Sequence, residues 1–298
     1  VHVLITGATG LVGPRLVTLL LERGDAVTVL SRNPDAARRR LGDVTALAWD
    51  PPSLPDGAME GIDAVVHLAG ESVPGRWTTA KKARIHDSRE LGTRAIAQAI
   101  AAADPRPAVL VSASAIGWYG DRGDDVLVED SGPGHDFLAS VCQAWEAEAA
   151  AVEEAGVRRV SLRIGLVLDP AGGALGEMLP TARLGLSGPL AGGKQWWSWI
   201  HRDDLLALFL AALDGDWSGP VNATAPTPVT QGDFARTLGA VLKRPAFLPA
   251  PAFALKLALG EFSTEILTSK KILPKAATDA GFTFRFETLE PALRDLLG

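Results

Sequence analysis

The sequence predicts an α/β fold: a doubly wound parallel sheet with a smaller C-terminal α/β domain on its substrate side. Three observations carry that prediction. Val3 to Ile5 form a short apolar run that leads into glycines at positions 7, 10 and 13. Strand-like runs then alternate with helical periodicity to about residue 170, as parallel strands joined by right-handed helical crossovers require. Beyond Pro170 the texture changes to loop chemistry, with Gly172-Gly-Ala, Leu186-Ser-Gly-Pro and Ala191-Gly-Gly-Lys. The expected division is a nucleotide-binding domain over 1–170 and a substrate-side and C-terminal region over 171–298, with a strand near 219–223 returning to the sheet.

At the head of the chain each glycine has a separate task. The strand must turn sharply at Gly7, the backbone at Gly10 must admit a pyrophosphate, and Gly13 must let the next helix pack on the sheet. The spacing differs by one residue from the commonest dinucleotide fingerprint, so its context matters. Leu11, Val12, Leu16, Leu19 and Leu20 recur at helical spacing immediately afterwards. With Thr9 between the glycines, Gly7 to Gly13 is the expected phosphate cradle, and the helix N-terminus turns its free N–H groups and positive dipole end toward the anion.

The second strand, Ala26 to Leu30, ends in Ser31-Arg32-Asn33. A site selective for NAD places a carboxylate here to receive the adenosine ribose. A hydroxyl and a guanidinium suit a 2′-phosphate instead, so NADP(H) is expected in preference to NAD(H). Arg38, Arg39 and Arg40 read as an exposed basic run. The third and fourth strands are Val44 to Trp49 and Asp63 to Leu68, and the small residues of Leu68-Ala-Gly70 keep the wall beside the adenine and ribose open. A helix over Thr79 to Ala103 has Ile85, Leu91, Ala95, Ile96 and Ala99 on one face. The fifth strand, Pro107 to Ser112, delivers Ser112-Ala-Ser-Ala-Ile-Gly-Trp-Tyr-Gly120 to the edge where open α/β sheets carry out chemistry, with Ser112 expected to contact the cofactor.

A glycine- and acid-rich loop from Asp121 to Asp136 leads to a helix over Phe137 to Ala155 and a sixth strand over Val160 to Val167. Farther on, Gln195-Trp-Trp-Ser-Trp-Ile-His201 precedes a helix expected to be capped by Asp203. A helix over Gln231 to Leu242 follows, and Phe282, Phe284 and Phe286, at period two, read as one buried strand face.

Composition narrows the partners. With 298 residues, 47% of them hydrophobic, the chain can bury a proper core. Its net charge of −6 gives no electrostatic footprint for nucleic acid or an anionic membrane, so a small-molecule substrate is expected, with neither nucleic acid nor membrane as partner. The single cysteine, Cys142, forbids an intrachain disulfide and suits a reducing, cytoplasmic setting. No signal peptide is read ahead of the first strand, and no run of about 18 apolar residues offers a membrane span. The histidines are scattered without ligand spacing, so no metal is expected. Oligomeric state has no signature here.

Taken together, Gly7, Gly10 and Gly13, His67-Leu-Ala-Gly70, Ser112-Ala-Ser114 and Tyr119-Gly120 resemble an extended or atypical short-chain dehydrogenase/reductase with a Rossmann domain. More narrowly, the chain resembles the sugar-nucleotide-epimerase-like subfamily related to the bacterial protein YfcH, which carries a C-terminal domain of unknown function. The specific marks include Val29-Leu-Ser-Arg32, Leu68-Ala-Gly-Glu71, Trp145-Glu146, Trp199-Ile-His-Arg-Asp-Asp204 and Asn222-Ala-Thr-Ala-Pro226. The resemblance implies NADP contacts at Ser31, Arg32, Leu68, Ala69, Arg84 and Arg89. From the residues alone, the two helix arginines would read as solvated charges.

One part of that family's pattern is missing. Short-chain dehydrogenases use a tyrosine with a lysine four residues on, which lowers the phenol's pKa. Aligned on Glu146, the pair falls on Leu138 and Cys142, and Tyr119 is the only tyrosine. The acidic residues of the dehydrating members are also absent, since Ala115 and Ile116 follow Ser114. The candidates that remain are Ser114, matching the family's carbonyl-polarising serine or threonine, and Tyr119. Glu129 and Asp130 are further acid or base candidates, and Cys142 reads as a buried structural thiol. Trp196, Trp197 and Trp199 read as core or interface packing. Two functions follow: an NADP(H)-dependent oxidoreductase or epimerase for a small or nucleotide-linked hydroxyl or carbonyl compound, and a non-enzymatic NADP(H)-binding redox sensor.

Overall fold

In the computed structural model, which describes residues 1–298, the first strand, β1 (His2–Thr6), is buried on both faces. Val3 and Ile5 enter one apolar cluster and Leu4 another, the period-two split of a strand with helices above and below. The chain continues through α1 (Gly13–Glu22), β2 (Ala26–Ser31), α2 (Pro34–Leu41), β3 (Thr45–Ala48), β4 (Ala64–His67), α3 (Thr79–Ala102) and β5 (Val109–Ala115). Next come β6 (Val126–Leu127), α4 (Phe137–Ala150), β7 (Arg158–Ile164), β8 (Leu166–Leu168) and α5 (Gly173–Arg183). They are followed by β9 (Trp196–Trp197), β10 (Trp199–His201), α6 (Arg202–Asp214), β11 (Gly219–Ala223), β12 (Val229–Thr230) and α7 (Gln231–Leu242). The last elements are α8 (Ala252–Leu259), α9 (Ser263–Leu267), β13 (Lys271–Ile272), α10 (Lys275–Asp279) and α11 (Leu289–Leu297).

Seven strands form a wholly parallel sheet in the order β11-β7-β5-β4-β1-β2-β3. The chain runs outward from β1 to β3 and resumes on the other side at β4. The strand order therefore reverses between β1 and β4, and a crevice opens there at the carboxyl ends of the strands. Leu16, Leu20, Leu208 and Phe209 of α1 and α6 cover one face. Ile96 and Ile100 of α3, with Ala149 of α4, cover the other. A separate cluster of Leu175, Leu179, Trp199, Phe234 and Leu293 supports the region beyond the sheet.

Several elements differ from their sequence expectations for identifiable reasons. The fifth strand runs on through Ala115, because Ser112 to Ala115 keep pairing with Ser161 to Ile164 of β7. The run expected as one strand over 160–167 breaks at Gly165, where an added Cβ would lie 2.5 Å from the Ser198 carbonyl oxygen. β8 then leaves the sheet to pair with β10. Phe282 to Phe286 form no strand. The Arg285 and Phe286 N–H groups donate to the Asp204 carboxylate at 2.8 and 3.0 Å, so they have no ladder to join. Their rings also part company: Phe284 enters the sheet cluster and Phe286 the C-terminal one. Asp203 does not cap α6. His201 does, its Nδ1 accepting the Asp203 N–H at 3.1 Å.

Candidate functional site

The glycines after β1 are required by sterics. Gly7 has φ +69°, and a Cβ there would stand 2.6 Å from the Leu68 carbonyl carbon. At Gly13 it would stand 2.4 Å from the Ala8 carbonyl oxygen. The Gly10 N–H closes the turn onto the Gly7 carbonyl at 2.9 Å and leaves Gly10 exposed. Thr9 and Val12 are half-buried beside it. Leu11 is exposed and reaches toward Gly172 and Gly173, where a Cβ would meet its methyl groups at 3.0 Å. A cradle that side chains would fill, at the N-terminus of α1 and at the strand-order reversal, fits a dinucleotide pyrophosphate.

The neighbouring wall is fixed from below. The Thr6 hydroxyl accepts the Leu68 and Ala69 N–H groups at 3.2 and 3.1 Å, so its own hydrogen goes to His67 Nδ1 at 2.7 Å. His67 Nε2 therefore carries the ring proton and donates to Thr93 Oγ1 at 3.0 Å. Burial, with a smaller contribution from the Arg89 charge, lowers the imidazole pKa to about 4 and keeps the ring neutral.

At the end of β2, Ser31 Oγ accepts the Asn33 N–H at 3.2 Å, and Asn33 Oδ1 caps α2 through Ala36 N. Arg32 is exposed and pairs with no carboxylate, while nearby Asp35 is held by Arg38. Gly70 is exposed at the crevice, with the Arg89 guanidinium carbon 3.2 Å from where its Cβ would be. Arg89 donates to the Glu71 and Ile85 carbonyls at 3.1 Å and lies 4.9 Å from the Trp145 ring. It has no carboxylate partner, and burial pulls its guanidinium below its ordinary pKa. Arg84 lies farther out, 60% exposed and 3.6 Å from Glu71. The bond from Lys81 holds that Glu71 carboxyl below the usual range. Ser112 is a correction to the expected contact set: its buried hydroxyl donates to the Ala113 carbonyl at 3.0 Å, so it backs the crevice and offers it no polar side chain.

Ser114, at the carboxyl end of β5, donates to Glu146 Oε1 at 2.6 Å. Arg163 grips both Glu146 oxygens, at 2.8 and 2.9 Å, and continues to Tyr119 Oη at 3.0 Å. The phenol in turn donates to Asn222 Oδ1 at 2.6 Å. Tyr119 therefore departs from the expectation of a group facing substrate. It is fully buried, and burial pushes its phenol up to about 12 despite the Arg163 charge, so it braces Arg163 and leaves protons alone. Glu129 Oε1 accepts the Asn222 and Ala276 N–H groups at 2.9 and 3.1 Å and Oε2 is buried without a partner, while Asp130 is exposed.

Glu146 and Arg163 were missed as site residues, and a signal for them exists. Arg163 stands alone in the apolar run Val160-Ser-Leu-Arg-Ile, and Glu146 follows Trp145 on an apolar helix. A charge in a buried run demands a partner of opposite sign. Where the tyrosine–lysine pair would fall, the Cys142 thiol is buried and pushed up to about 12. His201, Asp203 and Asp295 place ligand-type atoms within 4.8 Å of one another. Because His201 Nδ1 accepts the Asp203 N–H, however, the ring proton sits on Nε2, which then has no lone pair for a cation. Trp199 is fully buried, and the Trp196 and Trp197 indoles donate to Asp124 and the Ile266 carbonyl.

Residues 3–223 match the family model described as the NAD dependent epimerase/dehydratase family, and residues 250–296 match a domain of unknown function, DUF1731. The chain is 41% identical over 298 residues to the chloroplastic epimerase family protein SDR39U1 homolog of Arabidopsis thaliana, covering 98% of this chain and 86% of that one. It is 36% identical to the epimerase family protein YfhF of Bacillus subtilis, covering 99% and 98% of the two chains. Among solved structures, human epimerase family protein SDR39U1 with NADPH superposes with a TM-score of 0.90 at 33% identity, over 99% of both chains. UDP-glucuronic acid 4-epimerase from Bacillus cereus, at 18% identity and a TM-score of 0.78 over 99% of this chain and 98% of that one, shares the fold.

Proposed function

The chain belongs to the NAD dependent epimerase/dehydratase family, and from that premise we propose that it is an NADP(H)-dependent oxidoreductase or epimerase for a small hydroxyl or carbonyl compound, free or nucleotide-linked. The observation that supports this most is the Ser114 hydroxyl at the end of β5, committed to Glu146 at 2.6 Å. A bound nicotinamide would supply hydride exchange at a substrate carbon, and the chain's task is the hydroxyl proton. Ser114 is itself buried, but with its hydrogen turned to Glu146 its oxygen keeps lone pairs for a substrate hydroxyl placed against the strand end. It accepts the proton of a substrate hydroxyl as its own hydrogen passes to Glu146 Oε1, and reduction runs the same path backward. Arg163, bonded to both carboxylate oxygens, fixes the orientation of that acceptor.

Preference for NADP(H) is supported by Arg32, an exposed and unpaired cation where an NAD site carries a carboxylate. The unpaired, buried Cys142 thiol suits a cytoplasmic setting. The catalytic reading is tested with NADPH and a panel of carbonyl compounds and nucleotide sugars. Ser114→Ala is expected to lower kcat about 100-fold with cofactor Kd unchanged. No NADPH oxidation by the wild-type protein across the panel, together with an inert Ser114→Ala, would remove the enzyme reading.

A second reading, a non-enzymatic redox sensor, is favoured by Leu138 and Cys142 standing where the tyrosine and lysine would be, the thiol at about 12. A sensor must bind its partner with different affinities in the NADP and NADPH states. Equal affinities end that alternative.

A further inference from the structure

The net charge of −6 conceals an uneven surface. Between Glu177 and Asp203, and again between Asp233 and Glu261, the chain holds no acidic residue. Within these stretches Arg183, Lys194, Lys243, Arg244 and Lys256 are exposed and pair with no carboxylate. Two of the bordering acids are already engaged, Asp233 by Arg236 and Glu261 by Lys82.

The two stretches meet along a backbone seam. Leu248 N donates to the Ser187 carbonyl at 3.2 Å, Ala250 N to Pro189 at 3.0 Å and Ala191 N to Ala250 at 2.8 Å. At Gly188 a Cβ would stand 2.2 Å from the Leu248 carbonyl oxygen. Large apolar side chains project around the seam: Leu184 is 73% exposed, Leu186 58% and Phe247 71%. Phe253 and Leu257, one turn apart on α8, which begins two residues after the seam at Ala250, are 73% and 79% exposed, and α8 buries none of its residues. An apolar patch of this kind rimmed by unpaired cations marks an interaction surface.

We propose that this face docks on an anionic lipid surface. Aromatic and aliphatic tips on a proline-rich loop and a short helix enter the boundary between headgroups and acyl chains, while the basic rim meets lipid phosphates. A second copy of the same face would set unpaired cations against unpaired cations, which argues against self-association. The contact is peripheral, since no helix is long and apolar enough to cross a membrane.

The test is co-sedimentation of the full chain with vesicles of phosphatidylcholine alone or mixed with phosphatidylglycerol. Binding is expected only to the mixed vesicles, weakening as salt rises. The double variant Lys243→Glu/Arg244→Glu should lose at least about tenfold in partitioning, on a scale of about fivefold per basic residue. Phe247→Ser/Phe253→Ser should lose a comparable factor, with circular dichroism confirming that both variants fold. Failure to bind mixed vesicles, equal binding to both kinds, or variants that bind like the wild type would each overturn the proposal. So would a concentration-dependent dimer in sedimentation velocity that the phenylalanine variant abolishes, which would assign the face to a second copy.

Discussion

At the scale of single residues, the proposed preference for NADP over NAD rests on Arg32. It is exposed, carries no ion pair and follows a strand end that offers no carboxylate. Arg32→Ala is expected to weaken NADP binding by about 1–3 kcal/mol, the scale of a lost charge-assisted contact, and to leave NAD binding nearly unchanged. Titration calorimetry with both nucleotides checks this, and equal losses would show that the guanidinium does not read the phosphate. The same scale marks a limit of the sequence. Ser114 could be picked out as the polar side chain at a strand end, but its direction depends on Glu146, 32 positions away, and Arg163, 49 away. Tyr119 attracted attention as the chain's only tyrosine, although its burial is set by Asn222 and Arg163 from other strands.

Between elements, His67 joins β4 to β1 through Thr6 and to α3 through Thr93. Its pKa falls from 6.5 to about 4 on folding, so the unfolded chain binds the extra proton in that interval. Stability contributed by the neutral ring is complete above pH 6.5 and is lost as pH falls through that window, by about 3 kcal/mol at most. His67→Gln should flatten that part of the acid limb, as measured by urea unfolding at stepped pH. An unchanged limb would mean that other groups carry it. The glycine turn after β1 was legible because three glycines at motif spacing stand between an apolar strand and a helical run, although the atoms nearest a Cβ at Gly7 belong to distant Leu68. The break at Gly165 was not, because a lone glycine carries no such spacing and the atom that forbids a side chain there belongs to Ser198. Period two misled at Phe282 to Phe286, where the backbone donors go to Asp204 and the rings divide between two clusters.

Over the whole molecule, Glu129 ties distant parts of the chain together. Its Oε1 receives the N–H groups of Asn222 on β11 and Ala276 on α10. Glu129→Ala is expected to cost about 2–3 kcal/mol, the value of lost bonds to a charged acceptor, visible as a lower urea midpoint. A midpoint within error of wild type would assign the tie to β6 and β13 pairing alone. The parallel order of the sheet was legible from strand–helix alternation, whereas charge averaged over 298 residues hid the basic and apolar face described above. The chain from Ser114 to Asn222 also bears on how the protein is made. Asn222 Nδ2 donates to the carbonyl of Leu273, and β6 pairs with β13, partners about 145 positions apart. During synthesis the sheet through β7 leaves the ribosome well before these contacts exist, and parallel pairings of such separation form slowly. The nucleotide cradle is therefore complete before the buried network behind Ser114, which cannot close until Leu273 has been made.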